Sequence, residues 1–253
     1  MAGALEWLFG FHAVESALRN DPENVERVLI EQGRQDRRVQ GLLGLVAQAP
    51  VVVPVERLPG PTLARRVGSP KHQGVACGYR QPVARNEQDL FAELERSESV
   101  PLLLVLDGVT DPHNLGACLR TADAAGAFGV IVPRDRAVGL TPVVRKVASG
   151  AAESLPLYQV TNLARVLQAL RDRGIWVVGA AGEAEISLYD CPFAREPLAL
   201  VMGAEGRGLR RLTRTHCDQL LHIPMAGRVE SLNVSAATAV CLFEFRRRRL
   251  LPS

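Results

Sequence analysis

The sequence lacks the features that mark secreted, membrane-embedded or metal-binding proteins. Its five cysteines are scattered among 253 residues without a CxxC pair, so we predict reduced, buried thiols and no disulfide framework. No apolar run reaches the roughly eighteen residues of a membrane span, and the N-terminal stretch lacks a basic segment before a long apolar core. No histidine stands at metal-ligand spacing from a cysteine or an acidic residue. We therefore expect a cytoplasmic protein with no membrane contact and no metal site.

Lysine is almost absent from the basic residues. Lys71 and Lys146 are the only lysines among 30 basic residues, and the remainder are arginines. The net charge of +3 is too small to indicate a nucleic-acid partner by itself. Arginine suits phosphate and stacks on bases because its guanidinium is a planar fork of donors. The codon bias of a GC-rich genome would give the same excess, and that simpler explanation is favoured.

The hydrophobic pattern divides the chain into two α/β domains. Residues 1–80 form a small domain, residues 81–99 form a polar linker that ends in a short helix, and residues 100–253 form a larger domain. In the small domain the pattern predicts helices at 11–18 and 37–47 and strands at 25–30, 51–55 and 74–79, and in the linker it predicts a short helix at 90–94.

The larger domain alternates short buried strands with helices. Continuous apolar runs such as the one at 102–106 are typical of strands covered on both faces. The predicted strands are 102–106, 129–132, 155–160, 175–180, 198–202 and 220–223, and the predicted helices are 114–126, 142–149, 162–171, 209–215 and 233–247. This alternation predicts a parallel sheet with helices on both faces.

The first segment of chemical interest follows the strand at 102–106. In DGVTDPHNLGACLR, Asn114 is a candidate N-cap, and Arg120 lies six positions further on, about 1.7 helical turns. Ligands bind at the carboxyl ends of strands in open α/β sheets, so both residues are site candidates. The alternative is that Arg120 is a solvated helix arginine paired with Asp123 or Asp107.

The second segment is the glycine-rich loop in LVMGAEGRGL. Its glycines allow a positive φ and close approach of the backbone to a ligand. The loop lies late in the domain and its glycines are spaced G-x-x-G-x-G, so a nicotinamide or flavin enzyme is disfavoured. Glu205, which stands among these glycines, could cap a helix or orient another side chain.

The third segment, IPMAGRVESLNVSAATAV, joins a long irregular loop to an alanine-rich helix. Ser231, Asn233 and Ser235 are residues of the kind that cap a helix. A capped core helix explains the serines and alanines but leaves the long loop unexplained.

Together, and in this order, the three segments resemble the SpoU (TrmH-type) branch of the SPOUT RNA methyltransferases. The resemblance extends over nearly the whole chain, including GFHAV near the start, HQGV before the linker, and AGEAE. It is strongest to bacterial members that methylate a guanosine 2′-hydroxyl in the peptidyl-transferase region of 23S rRNA. It implies a deep trefoil knot in the C-terminal domain, bound S-adenosylmethionine, a homodimer, and an N-terminal domain that binds the RNA substrate.

The resemblance also implies roles for individual residues. Arg120 matches the catalytic arginine of the family, and the other polar motif residues match Asn114, Glu205, Ser231 and Asn233. The backbone positions that hold the methyl donor match Gly203, Ile223 and Leu232, with Met225 in the same loop. The run 246–249 is more basic than is usual for the family, and it indicates either a phosphate contact or a solvated helix end.

Three functions therefore stand as hypotheses. The first is methyl transfer to 23S rRNA, the second is 2′-O-methylation of tRNA by the same fold, and the third is RNA binding or ribosome assembly without catalysis. For the enzyme, we expect Arg120 to clamp phosphate and stabilise the developing oxyanion, because a guanidinium with a pKa above 12 is a poor base. The base that receives the 2′-hydroxyl proton is not identified by the sequence.

Overall fold

A computed structural model of the chain describes residues 5–80, 85–135 and 137–251. Backbone contacts divide the chain into two compact units, Met1–Val83 and Ala84–Ser253. Within the described ranges, no helix is both long enough and apolar enough to cross a membrane.

The first unit is a four-stranded mixed sheet with three helices. Its elements are, in chain order, β1 (Leu5–Phe9), α1 (Phe11–Asn20), β2 (Val25–Glu31), α2 (Arg37–Gln48), β3 (Val55–Leu58), α3 (Gly60–Val67) and β4 (Val75–Arg80). The strand order is β1-β4-β2-β3, with β4 antiparallel to β1 and β2, and with β2 parallel to β3. The carboxyl ends of β1, β2 and β3 therefore share one edge of the sheet with the start of β4.

Alternating side chains of β2 fill two layers of the core in this unit. Val28 packs with α1 and α2 on one face, whereas Leu29 packs with Leu63 of α3 on the other. This is the two-residue period of a strand covered on both faces.

Two strands of the first unit differ from the sequence prediction. The prediction omitted β1 because that strand is short and lies at the edge of the sheet, with no fully buried residue. The strand predicted at 51–55 is instead β3, which begins at Val55. Pro54 has no N–H to donate, so before Val55 the segment contributes only the Pro54 carbonyl, which accepts from the Val28 N–H at 2.8 Å. Helix α3 was also not predicted.

The second unit is built on a seven-stranded sheet. Its elements are α4 (Glu87–Arg96), β5 (Leu102–Asp107), α5 (Pro112–Ala124), β6 (Gly129–Pro133), α6 (Pro142–Ala148), α7 (Ala151–Ser154), β7 (Leu157–Val160), α8 (Leu163–Arg171), β8 (Trp176–Ala180), β9 (Ile186–Ser187), β10 (Leu198–Gly203), α9 (Arg211–Thr215), β11 (Gln219–His222) and α10 (Val234–Leu250). The order is β7-β6-β5-β10-β8-β11-β9, and each pair of neighbours is parallel. The predicted parallel-sheet domain is confirmed.

Helices cover both faces of this sheet. Leu104 and Leu106 of β5 pack against α5 and α10, whereas Leu103 and Val105 pack against α4 and α8. The short helix predicted at 90–94 is part of the longer helix α4, at whose start Asn86 and Asp89 form a reciprocal capping box. Leu90 of that helix is fully buried in the core of the second unit.

The strand order reverses beside β5, which has β6 on one side and β10 on the other. Such a reversal leaves a crevice at the carboxyl ends of the strands, where open α/β sheets bind their ligands. In register, Asp107 at the end of β5 stands beside Gly203 at the end of β10. The knot implied by the resemblance is compatible with this order and stays a prediction.

Candidate active site

A cavity of about 420 Å³ opens at the carboxyl ends of β8, β10 and β11. Its volume falls within the range of small-molecule sites. The chain segments that line it are the end of β8 with residues 181–183, the glycine-rich loop 203–209, the loop that follows β11, and the first turns of α10. The cavity thus lies at the edge of the sheet where the sequence predicts ligand binding.

All four residues predicted to hold a cofactor line this cavity: Gly203, Ile223, Met225 and Leu232. The last three are separated from Gly203 by about twenty residues or more and approach it only because β10 and β11 lie in one sheet. The structure therefore brings the second and third segments together.

Gly203 is required by the fold of its own loop. A Cβ at this position would stand 2.1 Å from the Gly208 carbonyl carbon and 2.4 Å from the Leu209 nitrogen. The loop closes through a hydrogen bond from the Gly208 N–H to the Ala204 carbonyl at 2.8 Å, and Gly206 and Gly208 have φ values of 74° and 63°. Both conditions exclude larger residues, because side chains clash in a tight turn and disfavour positive φ.

Three polar side chains, one from each segment, form a hydrogen-bonded cluster at the cavity. Asn114 donates to the Glu205 carboxylate at 3.2 Å, and Asn233 donates to its other oxygen at 2.9 Å. Asn233 also donates to the Asn114 side-chain carbonyl at 3.0 Å. Glu205 therefore orients two amide side chains, which is one of the two functions that the sequence suggested for it. We call Asn114, Glu205 and Asn233 the amide–carboxylate cluster.

Asn233 is also the N-cap of α10. Its side-chain oxygen accepts hydrogen bonds from the backbone N–H of Ser235 at 2.9 Å and from the Ser235 hydroxyl at 2.6 Å. The capping predicted for this segment is confirmed, and it fixes the orientation of the amide that reaches Glu205. Ser231, two residues earlier, lines the cavity and is exposed.

The prediction that Asn114 caps α5 is wrong. The helix begins at Pro112 and its N-cap is Asp111, which accepts a hydrogen bond from the His113 N–H at 2.7 Å. Proline suits the first helical position because its φ is already helical and its missing N–H would have no partner there. The Asn114 side chain is therefore free to bind Glu205.

Arg120 lies on α5 outside the residues that line the cavity. Its guanidinium is exposed and donates to the Ser149 hydroxyl at 3.5 Å. Neither acid considered as its partner in the sequence binds it, since Asp123 accepts from Ser154 and Asp107 accepts from Arg210. The structure thus links Asn114 to the cavity wall through Glu205, whereas Arg120 is exposed and lies outside the lining.

An ion pair that the sequence analysis missed supports the glycine-rich loop. The carboxylate of Asp107 is buried, accepts from the Arg210 backbone N–H at 3.2 Å, and stands 3.3 Å from the Arg210 Nε. This contact fastens the end of the loop to the end of β5. The sequence offered one signal for this ion pair, an aspartate at the carboxyl end of a buried strand, because a buried carboxylate needs a partner.

A second carboxylate of the cavity is held in its ionised form. Glu183 lines the cavity and pairs with Arg214, whose hydrogen bond is the main reason that the pKa of Glu183 is lowered. With Glu205 and Glu230 it makes three carboxylates in a lining that also contains Arg207 and Arg214.

The cysteines are unsuited to nucleophilic chemistry. Burial raises the pKa of Cys118 to about 11 and the pKa values of Cys77, Cys217 and Cys241 to about 12, so these thiols stay protonated near neutrality. Cys191 is also free and buried, and burial raises its pKa. The prediction of free, mainly buried thiols is confirmed, with Cys217 only partly buried.

The basic run at the end of α10 is largely engaged within the second unit. Arg249 donates to the backbone carbonyls of Ala194, Val100, Pro101 and Glu196, Arg247 pairs with Glu244, and Arg248 donates to the Tyr189 carbonyl. Burial is the main reason that the pKa of Arg249 is lowered. The run therefore connects the end of α10 by hydrogen bonds to the segments that precede β5 and β10.

The fold and the site define a class of protein: an α/β enzyme with a ligand cavity at the carboxyl ends of parallel strands and a polar cluster that includes one residue of the cavity wall. Two family comparisons assign this class. The family described as SpoU rRNA Methylase matches residues 101–243, and the family described as RNA 2′-O ribose methyltransferase substrate binding matches residues 7–82. The chain belongs to the SpoU rRNA methylase family.

Curated relatives match nearly the whole chain. A 23S rRNA (guanosine-2′-O-)-methyltransferase RlmB from Pseudomonas syringae is 55% identical over 97% of this chain and 96% of its own length. The protein of the same name from Haemophilus influenzae is 54% identical over 97% and 98%. Among solved structures, the SpoU methyltransferase AviRb from Streptomyces viridochromogenes in complex with AdoMet has a TM-score of 0.65 at 26% identity, covering 97% of this chain and 91% of that chain.

Proposed function

We propose that this protein transfers the methyl group of S-adenosylmethionine to the ribose 2′-hydroxyl of a guanosine in 23S rRNA. The observation that carries the proposal is the amide–carboxylate cluster, in which Glu205, a residue of the cavity wall, joins Asn114 and Asn233. The full-length relatives named RlmB support the choice of 23S rRNA as substrate.

The residues that line the cavity fit this methyl donor. Ile223, Met225 and Leu232 offer apolar contacts for an adenine ring, and Gly203 allows its loop to pack closely on itself at the cavity wall. Glu205 and Glu230 are the carboxylates of the lining that could stand opposite a positively charged sulfonium, since the third, Glu183, is paired with Arg214. The bound donor supplies an activated methyl group whose carbon–sulfur bond breaks as the new carbon–oxygen bond forms.

The polar residues at the cavity mouth orient the reacting groups. The Glu205 carboxylate fixes the Asn114 and Asn233 amides, so their positions are set before RNA arrives. Ser231 presents a hydroxyl to the same cavity. In the proposed reaction these four residues hold the ribose and the donor in line and exclude alternative poses.

Arg120 is proposed to engage the RNA from outside the cavity. Among the described residues its exposed guanidinium makes one long hydrogen bond, to the Ser149 hydroxyl at 3.5 Å, which leaves it available to an RNA phosphate. A guanidinium there stabilises the negative charge that develops on the 2′-oxygen, and it stays protonated throughout. The 2′-hydroxyl proton leaves to a base that these residues do not identify.

The remaining parts of the proposal rest on the family. The first unit, which matches the substrate-binding family over residues 7–82, selects the RNA, and the second unit carries the methyl transfer. The protein is proposed to act as a homodimer in the cytoplasm, where ribosomal RNA is modified.

Labelled methyl transfer tests the function directly. Purified protein incubated with methyl-labelled S-adenosylmethionine should modify unmethylated 23S rRNA transcripts at one guanosine and should leave tRNA unlabelled. Label on tRNA alone would establish the tRNA hypothesis, and no label on either RNA together with RNA binding would establish a non-catalytic role. Mapping 2′-O-methylated nucleotides in cells that lack the gene identifies the site, which should be a single guanosine of 23S rRNA.

A further inference from the structure

One edge of the first unit gathers segments that are distant in sequence. Because β1, β2 and β3 point the same way, their carboxyl ends and the start of β4 meet at that edge. The Gly10 N–H donates to the Val75 carbonyl at 3.0 Å, and the Glu31 N–H donates to the Gly74 carbonyl at 2.8 Å. The edge therefore brings together GFHAV and HQGV, the two sequence segments to which the catalytic site assigns no role.

Arginine side chains are layered on an aromatic ring at this edge. The ring of Phe11 is buried, and the guanidinium carbons of Arg38 and Arg34 lie 4.1 Å and 5.0 Å from its centroid. Stacking of this kind orients a guanidinium and leaves its N–H groups pointing outward.

Arg34 is fixed further by its neighbours. Its Nε donates to the Asp36 carboxylate at 2.5 Å, and its Nη1 donates to the Gln73 backbone carbonyl. Gln73 has a φ of 53°, a left-handed conformation that is unusual for a residue with a side chain. Arg57 donates to the Arg34 carbonyl at 2.9 Å, which ties the end of β3 into the same assembly.

Positive charge predominates on this surface, which we call the arginine edge. It consists of Arg34, Arg37, Arg38, Arg57 and Lys71. Two acids, Asp36 and Glu31, lie beside it. Asp36 is engaged because it accepts from Arg34 and also caps α2 through the N–H groups of Arg38 and Val39, and the hydrogen bond from Arg34 lowers its pKa. Among the described residues, the side chains of Arg37 and Lys71 have no hydrogen-bond or ion-pair partner.

We propose that the arginine edge is the surface through which the first unit binds rRNA, by contacting phosphates near the target guanosine. The inference rests on the proposed function and adds to it the face and the groups that make contact. Stacked guanidinium forks of fixed orientation match phosphate oxygens, and they also offer planar surfaces to unpaired bases. The N-terminus of α1 points to the same edge and adds favourable partial charge for anions, whereas that of α2 is already capped by Asp36.

The test compares two double variants of the full-length protein that remove the same charge. Arg37→Gln with Lys71→Gln removes two cations of the arginine edge that have no side-chain partner among the described residues. Arg65→Gln with Arg66→Gln is the matched control, since both residues lie in the last turn of α3, on the opposite face of the sheet from α2. Binding to 23S rRNA transcripts is measured by filter retention at several salt concentrations, and methyl transfer is measured on the same transcripts.

We expect the edge variant to weaken rRNA binding about tenfold or more, and to lower the slope of log affinity against log salt by about 1.5, as two lost phosphate contacts require. Its KM for rRNA should rise while kcat changes less than about twofold, because the chemistry lies in the second unit. The control should change affinity less than about threefold. Equal losses in the two variants, or no loss in the edge variant, would overturn the proposal.

Two further measurements distinguish a loss of RNA contacts from misfolding and from a failure of the proposed reaction. Arg38→Gln, which removes the guanidinium nearest the Phe11 ring, should give the same KM effect in protein whose unfolding temperature shows it to be folded. If wild-type protein binds rRNA but transfers no methyl group, the proposed function fails, and the salt-dependent binding of the variants still decides the arginine edge. Preferential binding of an acidic protein in competition with rRNA would assign the surface to a protein partner and overturn the RNA assignment.

Discussion

Glu205 is the residue on which the convergence of three distant segments depends. Its two carboxylate oxygens accept from Asn114 and Asn233, residues 91 positions before it and 28 positions after it. A carboxylate can satisfy two amide donors at once because it has only acceptor sites. A neutral amide at this position would turn its own N–H donor toward one of the two asparagine N–H groups, which would then have no acceptor.

Replacement of Glu205 by glutamine should therefore impair catalysis while leaving the fold intact. We expect Glu205→Gln to lower kcat/KM by about tenfold or more, since a charge-assisted hydrogen bond is replaced by a donor–donor contact. Steady-state methyl transfer measures the effect, and the unfolding temperature checks the fold. Glu185→Gln, an exposed acid outside the cavity lining, is the matched control. Unchanged kinetics in Glu205→Gln would remove the cluster from the reaction.

Replacement of Arg120 should impair methyl transfer and leave binding of the methyl donor nearly unchanged. Because its guanidinium lies outside the cavity lining, Arg120→Ala should change the affinity for S-adenosylmethionine less than about threefold. Methyl transfer should fall by about a hundredfold or more, as is found when a charge-stabilising donor is removed from an active site.

Calorimetric titration and labelled methyl transfer measure the two quantities for Arg120→Ala. Arg96→Ala, which removes an exposed arginine from the last turn of α4, should leave both of them near the wild-type values. Near-normal turnover of the Arg120 variant would exclude this residue from the mechanism.

At the scale of elements, the glycine-rich loop is shaped by its own close packing. The 2.1 Å approach of a hypothetical Gly203 Cβ to Gly208 means that any side chain must push the loop away from the end of β10. The loop is fastened at its far end by Asp107 and Arg210, so it has little room to adjust.

We expect Gly203→Ala to weaken S-adenosylmethionine binding by about tenfold or more, because a shifted loop no longer fits the ligand. Gly139→Ala is the control, since a Cβ there would make only ordinary contact with Gln159 at 3.5 Å. Equilibrium binding measures both variants. Wild-type affinity in Gly203→Ala would show that the loop does not hold the methyl donor.

At the scale of the whole molecule, α4 belongs to the second unit although it lies within the predicted linker 81–99. Leu90 is fully buried against the sheet, and the hydroxyl of Tyr158 on β7 donates to Glu93 at 2.7 Å. The helix covers part of one sheet face, so its removal exposes apolar surface to water.

Two truncated chains test this assignment. Residues 85–253 should fold cooperatively and bind S-adenosylmethionine, whereas residues 101–253 should lose about 2–5 kcal/mol of stability, as for loss of a large buried side chain. Urea unfolding measures the difference, and Leu90→Ala in the full-length chain should reproduce much of it. Equal stability of the two truncated chains would contradict the assignment. If residues 85–253 still methylate only the natural guanosine, the first unit is not needed for RNA discrimination.

The sequence by itself determined the fold class, the parallel sheet and the three segments. These follow from local patterns, because buried strands are continuous apolar runs and tight loops need glycine. The four residues at the cavity wall were assigned by the family resemblance and not by a local pattern. The sequence also predicted a capped start for α10 from Ser231, Asn233 and Ser235, since a cap bonds only to the next few residues, and the structure selects Asn233.

Only the tertiary structure decided which groups meet. The partners of Asn114 and Asp107 lie 91 and 103 positions away, at Glu205 and Arg210, and nothing local specifies them. The same holds for the burial of α4 and for the gathering of the arginine edge. Strand order sets these contacts, and strand order depends on the packing of the whole sheet, which no single segment encodes.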